Sequence, residues 1–373
     1  MKQLNNMIPK RFAAVFIFLL MACLLLGFGP APVVLSKPAT TDTTGGLFAS
    51  DELLQIKLTG KLKELMNDRE SADPQSFPFR FSYTNEQGIE TVIPVEVRTR
   101  GHFRRMKANC TYPPLLIKFP NQGPQITTVF RNQKKLKLVM PCDGEEYIVR
   151  EWLAYKIYNL ITPKSLKARL VKIQLGDERN SKTVNPVFGI LLEEEDQLAE
   201  RNNATVVETK LRPQQTEVNT FLTMSVFQYL IGNTDWSVEY LQNIKLIAPK
   251  AGSVPMTVAY DFDHAGLVGA PYAQPAEELQ MSSTRERRYR GYCIKDLSIF
   301  NPVLAEFNRV KGDIYKLYTD CKFLDEKYIK STLRYLDEFY ATINNTKAWQ
   351  RAFAYPCDKN GTGNVIIKGL KEE

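Results

Sequence analysis

Three oxygen-bearing side chains stand at the ends of predicted elements in the second half of the chain. Asp235 follows a predicted helix, Asn243 opens a predicted strand, and Asp261 follows the next strand, with Asp263 two residues later. Because the hairpin between them folds Asn243 back toward both aspartates, we expect these side chains to converge. Carboxylate and amide oxygens suit a hard divalent cation, Mg²⁺ or Mn²⁺, that also contacts substrate phosphates. The spacing therefore predicts phosphoryl-transfer chemistry.

Phosphoryl transfer also needs cationic side chains that neutralise the phosphates. Lys118 and Lys137 lie in predicted strands, and Glu151 opens the following helix, where a carboxylate commonly orients such a lysine. Arg100 stands before Gly101 at a strand-to-loop transition, where a glycine lets the backbone approach a phosphate. These four side chains are the candidate nucleotide contacts.

The composition excludes several other kinds of site. The 373 residues include two histidines, His102 and His264, which argues against multi-histidine zinc sites and Ser-His-Asp hydrolases. With 44% hydrophobic and 24% charged residues, the chain has the composition of a globular protein rather than a disordered one.

The elements that must position these residues are strands in the first half and mainly helices in the second. Alternating apolar residues predict strands at 79–83, 91–98, 115–119, 135–140, 170–175 and 187–192. Helical spacing of apolar residues predicts helices at 151–161, 216–231 and 324–343. Two further strands are predicted at 243–248 and 256–260.

The first residues resemble an export signal. Lys2, Lys10 and Arg11 precede an apolar run at 13–28, so residues 1–36 are predicted to be a signal peptide or membrane anchor and 37–51 a linker. A lipoprotein, cleaved before Cys23, is the alternative. Export predicts the periplasm, the cell envelope or the extracellular space. The net charge of +8 includes the three leader cations and favours anionic partners only weakly, and no nucleic-acid partner is predicted.

Five cysteines follow the predicted leader: Cys110, Cys142, Cys293, Cys321 and Cys357. In an exported protein this number predicts two disulfides and one remaining thiol, with a connectivity that the sequence leaves open. Buried reduced cysteines are the alternative.

An ordered set of motifs resembles the CotH family of atypical kinases and spans about residues 92–270. The similar segments are Thr99–Arg104, Pro114–Phe119, Arg150–Tyr155, Phe188–Glu193, Asn233–Asp235 and Asp261–Asp263. The chain departs from the family at His102 and Glu151. The spacing between Asp235 and Asn243 also exceeds that of ordinary protein kinases.

The resemblance implies an α+β, two-lobed, distantly protein-kinase-like fold. A β-rich lobe at 52–195 would cover the nucleotide, and a mostly helical lobe at 196–373 would carry the catalytic residues. It further implies ATP and Mg²⁺ or Mn²⁺ as cofactors and a protein hydroxyl as the acceptor. Asp235 would be the catalytic aspartate, Asn243 and Asp261 metal ligands with Asp263 as an auxiliary, and Lys118 the nucleotide lysine, with Lys137 competing for that role.

Each of these residues also has a structural interpretation. Asp261 and Asp263 suit a plain turn, Asp235 a helix N-cap, and Lys118 a solvated strand face. Glu151 in a first helical turn is favoured by the helix dipole alone. The basic segment 285–290 is interpreted as a solvated charge run.

Three functions stay open. The first is an exported phosphotransferase, whose donor is another phosphorylated molecule if ATP is scarce outside the cytoplasm. The second is a catalytically inactive envelope or surface binding protein, and the third a metal-dependent phosphohydrolase. The acceptor protein cannot be identified from the sequence.

Overall fold

The computed structural model describes residues 46–85, 87–179 and 184–355. The predicted leader, its apolar run 13–28, most of the 37–51 linker and Cys357 lie outside the described residues. The predictions of export and membrane anchoring therefore stay predictions.

Seven strands of the described chain form a closed barrel. They are β1 (Leu54–Gly60), β2 (Phe77–Thr84), β3 (Glu90–Thr99), β4 (Leu115–Lys118), β5 (Lys135–Val139), β6 (Ala168–Asp177) and β7 (Val187–Leu192). Around the barrel their order is β1, β2, β3, β4, β5, β7, β6. Neighbouring strands pair antiparallel except β1 and β6, which pair parallel from Leu54 opposite Val171 to Gly60 opposite Asp177 and so close the barrel.

The barrel interior is apolar because alternate residues of each strand point inward. Phe81 lies 5.4 Å from Phe119 and 4.9 Å from Phe130 between ring centroids, and these rings fill one part of the interior. Surrounding aliphatic side chains from other strands, among them Leu58 and Ile117, are also fully buried. This burial stabilises the barrel independently of any ligand.

The predicted two-lobed, protein-kinase-like fold is wrong. The first half closes into a barrel instead of forming an open nucleotide-covering sheet, and the second half carries a sheet of its own. The strand that closes the barrel, β1, has the alternating burial of a strand but was absent from the prediction. Its partner β6 lies more than a hundred residues later in the chain, and no local pattern specifies such a pairing.

A second sheet in the described residues is formed by β8 (Thr205–Val207), β9 (Ile244–Ala248) and β10 (Met256–Ala259), in the order β10, β9, β8. The helices are α1 (Leu62–Asp68), α2 (Glu145–Ile161), α3 (Glu195–Arg201), α4 (Val218–Ile231), α5 (Asn301–Arg309), α6 (Lys311–Thr319), α7 (Glu326–Ile343) and α8 (Thr346–Phe353). All the strands and helices named from the sequence are confirmed, apart from shifts in where they begin and end. The largest shift is in α2, which begins six residues before Glu151.

Helices α2 and α4 meet in a second apolar core. The rings of Tyr158 and Phe227 stack at 4.3 Å, and Phe262 packs against Tyr155 at 4.5 Å and Phe227 at 5.2 Å. Phe262 therefore anchors the segment after β10 in the core. This anchoring fixes the backbone on which Asp261 and Asp263 stand.

Cys110 and Cys142 form a disulfide, and Cys321 is a free thiol. Cys293 is disulfide-bonded as well, and Cys357 is not among the described residues. No helix in the described ranges is both long and apolar enough to span a membrane.

Candidate functional site

Asp235 stands in the turn that ends helix α4. Gly232 terminates the helix with a left-handed φ of 68°, which costs a glycine little. The Asn233 side chain then accepts a hydrogen bond from the backbone N–H of Asp235 at 3.0 Å. The carboxylate is thus fixed by the helix end and remains partly exposed.

Asn243 binds directly to Asp235. Its Nδ2 donates to the Asp235 carbonyl oxygen at 2.8 Å and to the carboxylate Oδ2 at 3.0 Å. Because both partners are acceptors, the orientation of the amide is determined. Asn243 itself has a left-handed φ of 52°, which an asparagine tolerates at some cost. The amide oxygen Oδ1 is then the atom left to contact a ligand.

Asp261 is brought beside Asn243 by the pairing of β9 and β10. The backbone N–H of Tyr260 donates to the Asn243 carbonyl at 3.0 Å, and the N–H of Asp261 donates to the Tyr155 hydroxyl at 2.9 Å. Asp261 has a φ of 62°, the second strained non-glycine conformation at this point. Strained backbone tends to occur at functional sites, where the surrounding structure enforces it.

Asp263 is buried and paired with Arg104. The Arg104 Nε lies 3.2 Å from Asp263 Oδ2, and its Nη2 lies 2.9 Å from Glu151 Oε2. The Tyr272 hydroxyl also donates to Asp263, at 3.0 Å. Glu151 is 0% exposed, in the second turn of α2, so the helix-dipole interpretation of this residue is wrong. Glu151 pairs with an arginine and not with either candidate lysine.

Burial raises the pKa of three carboxyl groups here. It raises the pKa of Asp261 to about 6, with repulsion from Asp263 adding to the effect and Arg104 and Arg100 opposing it. It raises the pKa of Glu151 to about 8 despite Arg104, and also that of Asp235, where His264 and Arg290 oppose the increase. These mutual effects place the four carboxyl groups in one electrostatic cluster, which we call the carboxylate cluster: Glu151, Asp235, Asp261 and Asp263.

A cationic group lies next to this cluster, on the outside of the barrel. Lys137 on β5 is buried and pairs with Glu195 at the start of α3, and Lys245 lies 3.4 Å from the same carboxylate. Both ammonium groups lie over the Tyr260 ring, at 5.9 and 5.6 Å from its centroid. Arg100 is close enough to lower the pKa of both Lys137 and Asp261 by its charge. We call Lys137, Lys245 and Arg100 the cation group.

Most of the residues predicted for the site lie together. Asp235, Asn243, Asp261, Asp263 and Glu151 converge, and Lys137 and Arg100 adjoin them. Lys118 does not join them: it is exposed at the end of β4, opposite Lys135. Lys137 is therefore the better placed of the two competing lysines.

The structure adds residues that the sequence interpretation missed. Arg104, Tyr272 and Glu195 contact predicted site residues directly, and Lys245 contacts Glu195. The interpretation of 285–290 as solvated is wrong for Arg290, which donates to the carbonyls of Thr234 and Trp236 on either side of Asp235. The signal for Arg104 is its place in the segment Thr99–Arg104, one of the segments that carry the family resemblance.

The donor set decides whether a divalent cation fits. Within residues 46–85, 87–179 and 184–355, no three His, Cys, Asp or Glu side chains are arranged to hold a metal among themselves. Mg²⁺, however, is usually held by one or two carboxylates together with substrate phosphates and water. Asp261, Asp235 and the Asn243 amide fit that pattern, because the two carboxylates are partly exposed. Asp263 is less suited, since Arg104 and Tyr272 already occupy it.

Comparisons with known proteins add no family to this geometry. No protein-family model matches the chain, and no curated protein matches it significantly.

Proposed function

We propose that the chain is an exported phosphotransferase that moves a phosphoryl group from ATP to a protein hydroxyl with Mg²⁺ or Mn²⁺. The proposal depends on the site and not on the overall fold. The observation that carries it is the convergence of Asp235, Asn243 and Asp261, through a direct 3.0 Å hydrogen bond and the β9–β10 pairing, next to the cation group.

Each residue has a definite task in this reaction. Asp235 accepts the proton of the incoming hydroxyl as its oxygen bonds to the γ-phosphorus and the bond from that phosphorus to ADP breaks. Its pKa is raised by burial, which makes the carboxylate a better base than a solvated aspartate. Asn243 holds the carboxylate in place through its amide nitrogen.

Asp261 and the Asn243 Oδ1 would hold the divalent cation, with Asp235 beside them. When bound, the cation neutralises charge on the phosphates. The cation group supplies further positive charge from Lys137, Lys245 and Arg100, and Glu195 keeps the two lysines together. The carboxylate cluster would face the metal ion and the neighbouring cation group the phosphates, which suits a metal-bound polyphosphate.

A labelling assay tests this function. The purified mature protein is incubated with γ-labelled ATP and Mn²⁺, in parallel with its Asp235→Asn and Asp261→Ala variants. We expect labelling of a protein acceptor, or of the chain itself, that falls at least a hundredfold in both variants. Lys118→Ala is the matched surface control and keeps full activity. Equal labelling by wild type and Asp261→Ala, or none by either, contradicts the proposal.

One observation favours a second candidate, an inactive envelope or surface binding protein. Arg104 already pairs with Asp263 and Glu151, and Glu195 already pairs with Lys137, so part of the site is satisfied without a ligand. Thermal melting with and without Mg²⁺-ATP shows whether the site binds the nucleotide, since a ligand of the folded state raises the melting temperature. Stabilisation without labelling supports the binding protein.

A further inference from the structure

Arg104 lies between two buried carboxylates, those of Glu151 and Asp263. The residue is 8% exposed, and its guanidinium contacts Asp263 at 3.2 Å and Glu151 at 2.9 Å. The Tyr272 hydroxyl lies 3.4 Å from the same guanidinium. A buried carboxylate pair without such a cation is strongly unfavourable.

The loop that carries Arg104, residues 102–111, is held from two sides. Arg69, which is 2% exposed, donates to the backbone carbonyls of residues 104, 105, 106, 110 and 111 at 2.6–3.4 Å. The Cys110–Cys142 disulfide joins the end of the loop to the segment just before α2, the helix of Glu151. The guanidinium is therefore placed by the fold before any ligand binds.

The two carboxylates paired with Arg104 are buried, whereas Asp235 and Asp261 are partly exposed. The site thus has an inner acidic pair, Glu151 and Asp263, and an outer pair that a substrate can reach. A cation entering from solvent meets the outer pair first. The inner pair is already neutralised in part by a side chain.

We propose that Arg104 is a built-in replacement for a second cation, a positioning residue that limits the carboxylate cluster to one divalent metal ion. The inference depends on the proposed function only for the location of the outer, metal-binding pair. Removing the guanidinium while leaving the inner carboxylates then creates a second cation site.

The test counts Mn²⁺ bound per chain, by electron paramagnetic resonance, in wild type and Arg104→Ala, and records melting temperatures in EDTA and in millimolar Mn²⁺. We expect Arg104→Ala to melt roughly 5 to 10 °C lower in EDTA, because one partner of a buried ion pair is lost. We expect it to bind one Mn²⁺ more than wild type and to regain most of the lost stability when Mn²⁺ is added.

Two variants make the result specific. Arg169→Ala removes another buried arginine, which donates to the backbone carbonyls of Leu47 and Glu52 and not to those of the Arg104 loop, so its loss of stability is not recovered by Mn²⁺. Arg104→Ala with Asp263→Asn loses the additional Mn²⁺, because the inner pair has lost one carboxylate. If Arg104→Ala does not fold, Arg104→Gln replaces it, because glutamine removes the charge with less loss of volume and is expected to gain the same additional Mn²⁺.

An equal Mn²⁺ count in wild type and the Arg104 variant, or equal recovery of the Arg169 variant, overturns the inference. These readouts require no phosphoryl transfer. A chain that transfers no phosphate but gains a cation site on Arg104 substitution contradicts the proposed function and supports this inference. A chain that transfers phosphate but gains no cation site supports the proposed function and overturns this inference.

Discussion

The barrel interior and the carboxylate cluster are both largely buried, but burial has opposite effects on stability in the two regions. Inside the barrel, Leu58, Phe81 and Ile117 are fully buried and carry no polar atoms that need partners. In the cluster, Arg104 pairs with two of the four carboxyl groups, and burial raises the pKa of three of the four. The first arrangement stabilises the fold, whereas the second costs stability. Such a cost is expected where residues are placed for chemistry.

Arg69 and Arg104 show the same contrast in two side chains. Both are nearly inaccessible to solvent, but Arg69 satisfies backbone carbonyls in a loop, and Arg104 satisfies carboxylates. A buried arginine bound to the backbone holds structure together. A buried arginine bound to carboxylates also sets the charge of a site.

The largest expected effect lies in the barrel. Phe81→Ala should lower the free energy of unfolding by about 3 to 5 kcal/mol, because a large ring is removed from a close-packed interior. Urea unfolding measures the loss. Mn²⁺ affinity per folded molecule should not change, and a parallel loss of affinity would show that the two regions are not independent.

The next largest effect is an increase in the free energy of unfolding, and it concerns the carboxylate cluster. The folded pKa of Asp261 is raised to about 6, above its unfolded value, so its ionisation opposes folding above that pH. Asp261→Asn should therefore increase the free energy of unfolding by about 1 to 2 kcal/mol at pH 7.5. The gain should shrink as the pH falls through 6 and vanish below about pH 4. Urea unfolding at several pH values measures it, and a destabilised variant at pH 7.5 would contradict the comparison.

Substitution of one lysine should weaken nucleotide binding. Lys137→Met should weaken Mg²⁺-ATP binding about tenfold, roughly 1.4 kcal/mol, because it removes a buried cation beside the cluster. Calorimetric titration measures the affinity. Lys118→Met is the matched control on the neighbouring strand, exposed and expected to bind like wild type. Equal weakening by both would remove the distinction drawn between them.

The smallest effect concerns Glu195. Burial opposes its ionisation, but Lys137 and Lys245 lower its pKa to about 2. Because the folded pKa is depressed, the ionised carboxylate stabilises the protein above its unfolded pKa, and this contribution is lost as the pH falls toward 2. Glu195→Gln should thus be destabilised by less than about 1 kcal/mol at pH 7, after allowing for solvent screening, and should match wild type near pH 2. Acid titration followed by circular dichroism checks this.

The sequence predicted the individual strands and helices well, but it did not predict how the strands assemble into a barrel. Strands β2 to β7 and helix α4 were recognisable because apolar alternation and a terminating Gly232 are local signals. The barrel was not, because its closure depends on β1 pairing with β6 across a long separation. Asp235, Asn243 and Asp261 were found because they stand at element ends. Arg104 was missed because its burial depends on Arg69 and a disulfide, neither of which its own segment specifies.

The most direct test of the central claim is the number of Mn²⁺-ATP complexes bound per chain, measured by electron paramagnetic resonance in wild type and Asp261→Asn at pH 7.5. Convergence of Asp235, Asn243 and Asp261 on one cation predicts one complex per wild-type chain and at least a tenfold loss of affinity in the variant. Equal binding by the two proteins, or no binding by wild type, would contradict it.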